Sequence, residues 1–104
     1  MITTKTTLSP ARRDLLILLQ TLNFGRVEGL EVRGGEPVLD PPPRVIKEYK
    51  FAAENGPRPE AARPDCALKA QHLDLLKLLD DVGDGTIGVL TVKHGLPFGC
   101  ELPA

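Results

Sequence analysis

The chain has 104 residues, with 13 lysines and arginines against 14 aspartates and glutamates, a net charge of −1. That length suits one small domain over residues 1–104, and a near-neutral balance gives no long-range field toward phosphate backbones or anionic membranes. Two cysteines are too few for a secreted disulfide scaffold, and no apolar run approaches the ~20 residues needed to cross a bilayer, so the expectation is a cytoplasmic protein with reduced thiols.

The N-terminal stretch Arg12-Arg13 followed by Leu15-Leu16-Ile17-Leu18-Leu19 has the look of an export signal. Asp14 interrupts it, however, and the same Asp-Leu-Leu-x-Leu-Leu string returns inside the chain at 74–79, which marks the motif as structural. Setting Asp14 over Asp74 and running forward without gaps gives ten identities in the 25 positions of 14–38 and 74–98. Four of them, Gly25/Gly85, Gly35/Gly95, Pro37/Pro97 and Leu30/Leu90, fix equivalent turns and a core position. About two or three identities would arise from composition alone.

Each copy begins with a helix. In the first, Ser9 is an N-cap, Pro10 takes the first helical position, and Leu15, Leu18, Leu19 and Leu22 share one face. In the second, Asp65 after Pro64 is the expected cap, and Leu68, Leu75, Leu76, Leu79 and Val82 form the stripe. Asn23 and Gly83 end the two helices. Strands follow at Val27–Arg33 and Ile87–Lys93, then hairpin turns at Gly34-Gly35 and His94-Gly95, where two residues must tolerate positive φ. The return strands open with Pro37 and Pro97, which indicates sheet edges.

The copies differ afterwards. The first continues through Asp40-Pro41-Pro42-Pro43, which must break or bend any strand, into a further extended segment at Arg44–Phe51. Residues 52–64 are rich in proline, glycine and charge and form a linker that is either mobile or wrapped on a surface. The units are therefore 9–51 and 65–104. A single helix-hairpin cannot bury its own apolar face, whereas two can. The expected fold is α+β, a two-layer sandwich from a duplicated αββ–αββ unit, with a four-stranded, mainly antiparallel sheet and both helices on one face. The wide leucine stripes leave surface for a homodimer.

Leu15–Val38, with its helix, Asn23-Phe24-Gly25-Arg26-Val27-Glu28, a glycine turn and Glu36-Pro37-Val38, resembles the YezD family of small bacterial proteins of unknown function. The second copy departs from that pattern at Asp84 and His94. The resemblance implies the αββ arrangement and a bacterial, cytosolic origin, and it carries no activity with it.

Chemistry is sparse. Ser9, the only serine, is explained as a cap, which removes a serine hydrolase. Asp80, Asp81 and Asp84 fail the calcium-loop pattern, because Val82 and Thr91 stand where oxygen ligands and a glutamate belong. No phosphate-binding loop is present, and Gly83-x-Gly85 follows a helix where a dinucleotide fingerprint would follow a strand. Cys66, His72, His94 and Cys100 have the composition of a zinc site but the spacings C-x5-H and H-x5-C, unlike the usual pairs. With Cys66 in the first turn of the second helix, His72 falls 240° around the axis and the two diverge. Arg26, Arg33, Arg44, Lys47 and Lys50, beside Tyr49 and Phe51, are the candidate nucleic-acid contacts, although charge on an edge strand ordinarily blocks aggregation. No enzyme constellation, catalytic residue or cofactor is indicated. The leading expectation is a non-catalytic protein-binding or assembly module. A nucleic-acid-binding accessory protein is the alternative, and a Cys/His metal protein the third reading.

Overall fold

Helix α1 (Pro10–Leu22) starts where Ser9 accepts a hydrogen bond from the Arg12 amide at 3.3 Å and stops at Asn23, whose φ of 64° takes the backbone out of helical space. Helix α2 (Ala70–Val82) stops in the same way at Gly83, φ 65°. These are elements of a computed structural model that describes residues 4–63, 65 and 67–103. Each helix lays its leucines on the same layer of strand residues. Leu15, Leu19, Leu22, Leu75, Leu76 and Leu79 form one cluster with Val27, Leu30, Val32, Ile87, Leu90 and Val92.

The sheet has five antiparallel strands, β1 (Gly25–Arg33), β2 (Glu36–Val38), β3 (Arg44–Lys47), β4 (Gly85–Lys93) and β5 (Leu96–Glu101). The order is β2-β1-β4-β5, with β3 paired to β1 on the same edge as β2. The expected four strands thus become five, because the proline run divides the return strand. β2 covers Glu31–Arg33, the chain leaves through Asp40–Pro43, and β3 re-enters against Gly25–Glu28. Pro37 and Pro97 both lie on outer strands, where a missing amide is tolerated. At the centre, β1 and β4 pair with Gly25 opposite Val92, Val27 opposite Leu90, Leu30 opposite Ile87 and Val32 opposite Gly85. Buried positions step by two from Leu30 to Val32 and from Leu90 to Val92. They step by three from Val27 to Leu30 and from Ile87 to Leu90, so both strands shift phase at the same level.

Helices and first strands start sixty residues apart, Pro10 with Ala70 and Gly25 with Gly85. Both hairpin turns have two consecutive positive φ values, 58° and 76° at Gly34-Gly35, 55° and 71° at His94-Gly95, which matches the twist of the strands they join. Each turn then bonds to the opposite helix end. The Gly35 amide donates to the Gly83 carbonyl and the Gly95 amide to the Asn23 carbonyl, both at 2.9 Å.

The segment from 56 to 63 wraps the surface. Its Arg58 amide donates to the Gln20 carbonyl at 2.9 Å, and a 3-10 turn at Pro59–Ala62 follows. Lys5 holds it in place from beneath. That side chain is 1% exposed, and its ammonium donates to Gln20 Oε1, the Glu60 carbonyl and the Arg63 carbonyl at 3.1, 2.9 and 3.0 Å, which uses all three protons. The second helix corrects the expected boundary. It begins at Ala70, and Asp65 does not cap it but accepts from the Thr6 amide at 3.0 Å. The expectations for Pro64 and Cys66 lie outside the described residues.

Gly25 has φ +151°, and a Cβ there would stand 2.1 Å from the Ile46 carbonyl oxygen. Gly25→Ala should therefore cost at least about 2 kcal/mol and dislodge β3. At Gly85 a Cβ would meet nothing nearer than a Val82 methyl at 3.2 Å, so Gly85→Ala should cost under about 1 kcal/mol. Urea midpoints of the two variants test this. Equal losses would mean that β3 does not press on Gly25.

Candidate functional site

Once β3 ends at Lys47, the chain no longer pairs with β1, yet it is not loose. The Glu48 amide donates to the Phe24 carbonyl at 3.0 Å, and Lys50 Nζ lies 4.3 Å from the Phe24 ring centroid, with His94 edge-on to the same ring at 4.9 Å. An extended segment sends alternate side chains opposite ways, so with Lys50 turned inward to Phe24, Tyr49 and Phe51 turn outward. They are 65% and 90% exposed and contact each other edge to face at 5.5 Å.

Asn55 fixes this loop. Its Oδ1 accepts from the Lys50 amide at 2.9 Å, and its Nδ2 donates to the Lys50 and Ala53 carbonyls at 2.8 and 2.9 Å. Its own carbonyl accepts from Lys47 Nζ at 2.7 Å, and the next carbonyl, Gly56, accepts from Asn23 Nδ2 at 3.0 Å. The amide side chain therefore acts as a neighbouring strand would, and Ala52 turns the corner at φ 57°. The two most exposed aromatic side chains among the described residues stand on a loop pinned at both ends. Composition named the two aromatics; nothing in the sequence marked Asn55 as their brace.

The five candidate nucleic-acid contacts are engaged elsewhere. Arg26 and Arg44 both reach Glu28, at 2.9 and 3.6 Å; Arg33 reaches Glu31 at 3.4 Å; Lys50 reaches Glu48 at 3.9 Å; and Lys47 bonds to Asn55. Three carboxylates, Glu28, Glu31 and Glu48, thus stand among these five cations. The leucine stripes, expected to leave spare surface, are largely consumed by the chain's own core. Leu73, 44% exposed, is the exception among the helical leucines.

The Cys/His set is divided. His72 and His94 line one small cavity of about 30 Å³ with Gln20, Arg58, Glu60, Lys69 and Gly95. Cys100 is exposed and lines a separate groove of about 150 Å³ between α2 and β5, beside Leu78, Pro97 and Phe98. Cys66 lies outside the described residues. Among the described residues no three His, Cys, Asp or Glu side chains converge as metal ligands. His72 is 3% exposed, and its Nδ1 accepts from the Lys69 amide at 3.1 Å. The proton of the neutral ring therefore sits on Nε2, so neither nitrogen has a lone pair free for a metal. Burial, with a smaller contribution from Lys69, pushes the His72 pKa down to about 4.

Among the described residues no helix is long and apolar enough to cross a membrane. Comparison with family models, with curated proteins and with solved structures gives no match.

Two outcomes follow. Asn55→Ala should speed hydrogen exchange of the Lys50 amide by roughly tenfold or more while leaving the thermal midpoint almost unchanged; undiminished protection would show that Asn55 is not the brace. For His72, the unfolded ring takes up its proton near 6.5 and the folded ring only near 4. Stability is therefore full above pH 6.5 and falls as the pH drops toward 4, by up to about 3 kcal/mol. His72→Asn, which keeps an acceptor for the Lys69 amide, should flatten that acid limb in pH-dependent unfolding. An unchanged limb would place its origin in the carboxylates.

Proposed function

We propose that this chain is a non-catalytic protein-binding or assembly module, bacterial and cytosolic, whose contact element is the Tyr49–Phe51 loop. The observation that supports this reading most is the pairing of high exposure with fixed geometry: Phe51 is 90% exposed on a segment that Asn55 holds through three side-chain hydrogen bonds. Aromatic side chains dominate binding energy at interfaces, and a preordered loop loses little entropy on association. A loop of this kind contributes little to its own core, so its rigidity is of use to a partner. The carboxylates Glu28, Glu31 and Glu48 beside Arg26, Arg33, Arg44 and Lys50 lower the local positive potential, and with the net charge of −1 this disfavours the nucleic-acid alternative.

The scaffold under this loop is, in our reading, a duplicated helix-hairpin of the YezD type, fused from what was a symmetric dimer. The sixty-residue spacing of elements supports it, as do the reciprocal bonds of Gly35 to Gly83 and of Gly95 to Asn23. A fused dimer has already satisfied its original interface, which moves any further association onto surface that only one half carries. The aromatic loop is such a surface.

Site-specific photo-crosslinking tests the proposal. A photoreactive phenylalanine analogue at position 51, introduced in cells, should yield one dominant adduct, and the same analogue at exposed Thr86 should not. Tyr49→Ser should diminish the adduct at least several-fold. The adduct mass separates self-association, at twice the chain mass, from another protein. No adduct, or the same smear from both positions, would overturn the reading.

A further inference from the structure

The small cavity beside His72 is a built polar site. His72 Nδ1 accepts from the Lys69 amide at 3.1 Å, so Nε2 carries a proton, and that Nε2 has no partner although the residue is 3% exposed. Buried N–H donors are almost always satisfied, by protein or by ordered water. The cavity that His72 lines measures about 30 Å³, and roughly 10–15 Å³ on the same kind of scale suffices for one water.

The other half of the molecule shows what belongs there. Sixty residues before His72 stands Arg12, whose Nη2 donates to the Gly35 carbonyl at 2.8 Å and also pairs with Asp80. The same offset carries Gly35 to Gly95 and Asp80 back to Gln20, and both Gly95 and Gln20 line the His72 cavity. An imidazole is shorter than a guanidinium on its three-carbon stem, so His72 stops short of the place where Arg12 bridges helix to hairpin turn.

We propose that one ordered water occupies this cavity in place of the missing guanidinium head. It accepts from His72 Nε2–H and donates toward the Gly95 carbonyl and the Gln20 side chain. The charged and titratable groups around it are Lys69 beside the start of α2, Arg58 and Glu60 from the wrapped segment, His94 from the hairpin turn, and Lys5, whose ammonium donates to the same Gln20 side chain. Arg58 and Glu60 pair with each other at 3.3 Å, and the Lys5 ammonium has its own three acceptors, so each charge beside the site other than Lys69 already has partners and the site needs only a neutral molecule. The water makes the β4–β5 turn, α1 and α2 one hydrogen-bonded unit, as Arg12 does for the β1–β2 turn.

The test uses the unmodified protein. Long-range proton–nitrogen NMR correlations at neutral pH should place the His72 proton on Nε2, as a slowly exchanging signal. Water-selective cross-relaxation should show a long-lived water contact at that proton. Three results would overturn the proposal. One is a proton on Nδ1. A second is an Nε2 proton without a water contact. The third is a signal that shifts when chloride replaces a larger anion at constant ionic strength, which would assign the cavity to a halide.

Discussion

Two hydrogen bonds hold the halves of this protein in register: Gly35 N–H to the Gly83 carbonyl and Gly95 N–H to the Asn23 carbonyl. The end of a helix leaves carbonyls without partners, and the tip of a two-residue hairpin leaves an amide pointing away from its strands. Here each deficit is the remedy for the other, across the molecule and in both directions. The arrangement requires positive φ at the helix stops Asn23 and Gly83, and positive φ at both residues of each turn. Those residue types are therefore linked: the turn must be tight enough to reach, and the helix must stop early enough to be reached. The β1–β4 ladder is then set, because each first strand leaves its helix and enters its hairpin at fixed points.

Around this frame the two halves solve the same problem with different side chains. On one side Arg12 spans from α1 to the Gly35 carbonyl and to Asp80. On the other, His72 is too short, and three other groups gather: Arg58 lies over Gly95, the Arg58 amide bonds to the Gln20 carbonyl, and Lys5 enters below Gln20. Burying the Lys5 ammonium would be prohibitive without acceptors. Three acceptors make it a clamp on the wrapped segment, since removing any one leaves a charge unsatisfied out of water. Lys5 and the Arg58 amide together hold 56–63 on the surface beside the β4–β5 turn.

What could be read from the sequence follows from the range of each interaction. Ser9, Pro10, Asn23, Gly83 and the two hairpin turns act through φ preference or a bond three residues away, so their roles were legible, and with them both helix ends, the start of α1 and the central strands. The start of α2 was not. Asp65 looks like a cap, but its carboxylate goes to Thr6, 59 positions away in sequence, and the helix instead starts where His72 accepts from Lys69. Lys5 lies in an unpatterned threonine-rich stretch, and its burial depends on Glu60 and Arg63. The extended segment expected as far as Phe51 is paired only to Lys47, because β3 ends there and the chain turns toward Phe24. Cysteine and histidine stoichiometry suggested a ligand set, while the fold puts His94 in a turn and Cys100 on the far strand. Asn55 resembles any loop asparagine until its partner five residues earlier is known.

The proline break is what gives the first half a surface the second lacks. In the second half β5 follows β4 from Leu96 to Glu101 with a single irregularity, so that the edge strand is not divided. In the first, Asp40–Pro43 detaches the chain from β1 after Val38, and re-entry comes with Arg44 opposite Glu28. That register carries the strand to Gly25, the first residue of β1, and so delivers Glu48 to the Phe24 carbonyl at the end of α1. The loop can then be anchored from three directions, by Phe24, by Asn23 through Gly56, and by Asn55 from within. A continuous strand would have placed the same residues along the sheet edge, with Tyr49 and Phe51 exposed but unbraced and the edge open to pairing. The prolines therefore both divide the edge strand and aim the aromatics, and the two effects come from one local constraint on the backbone.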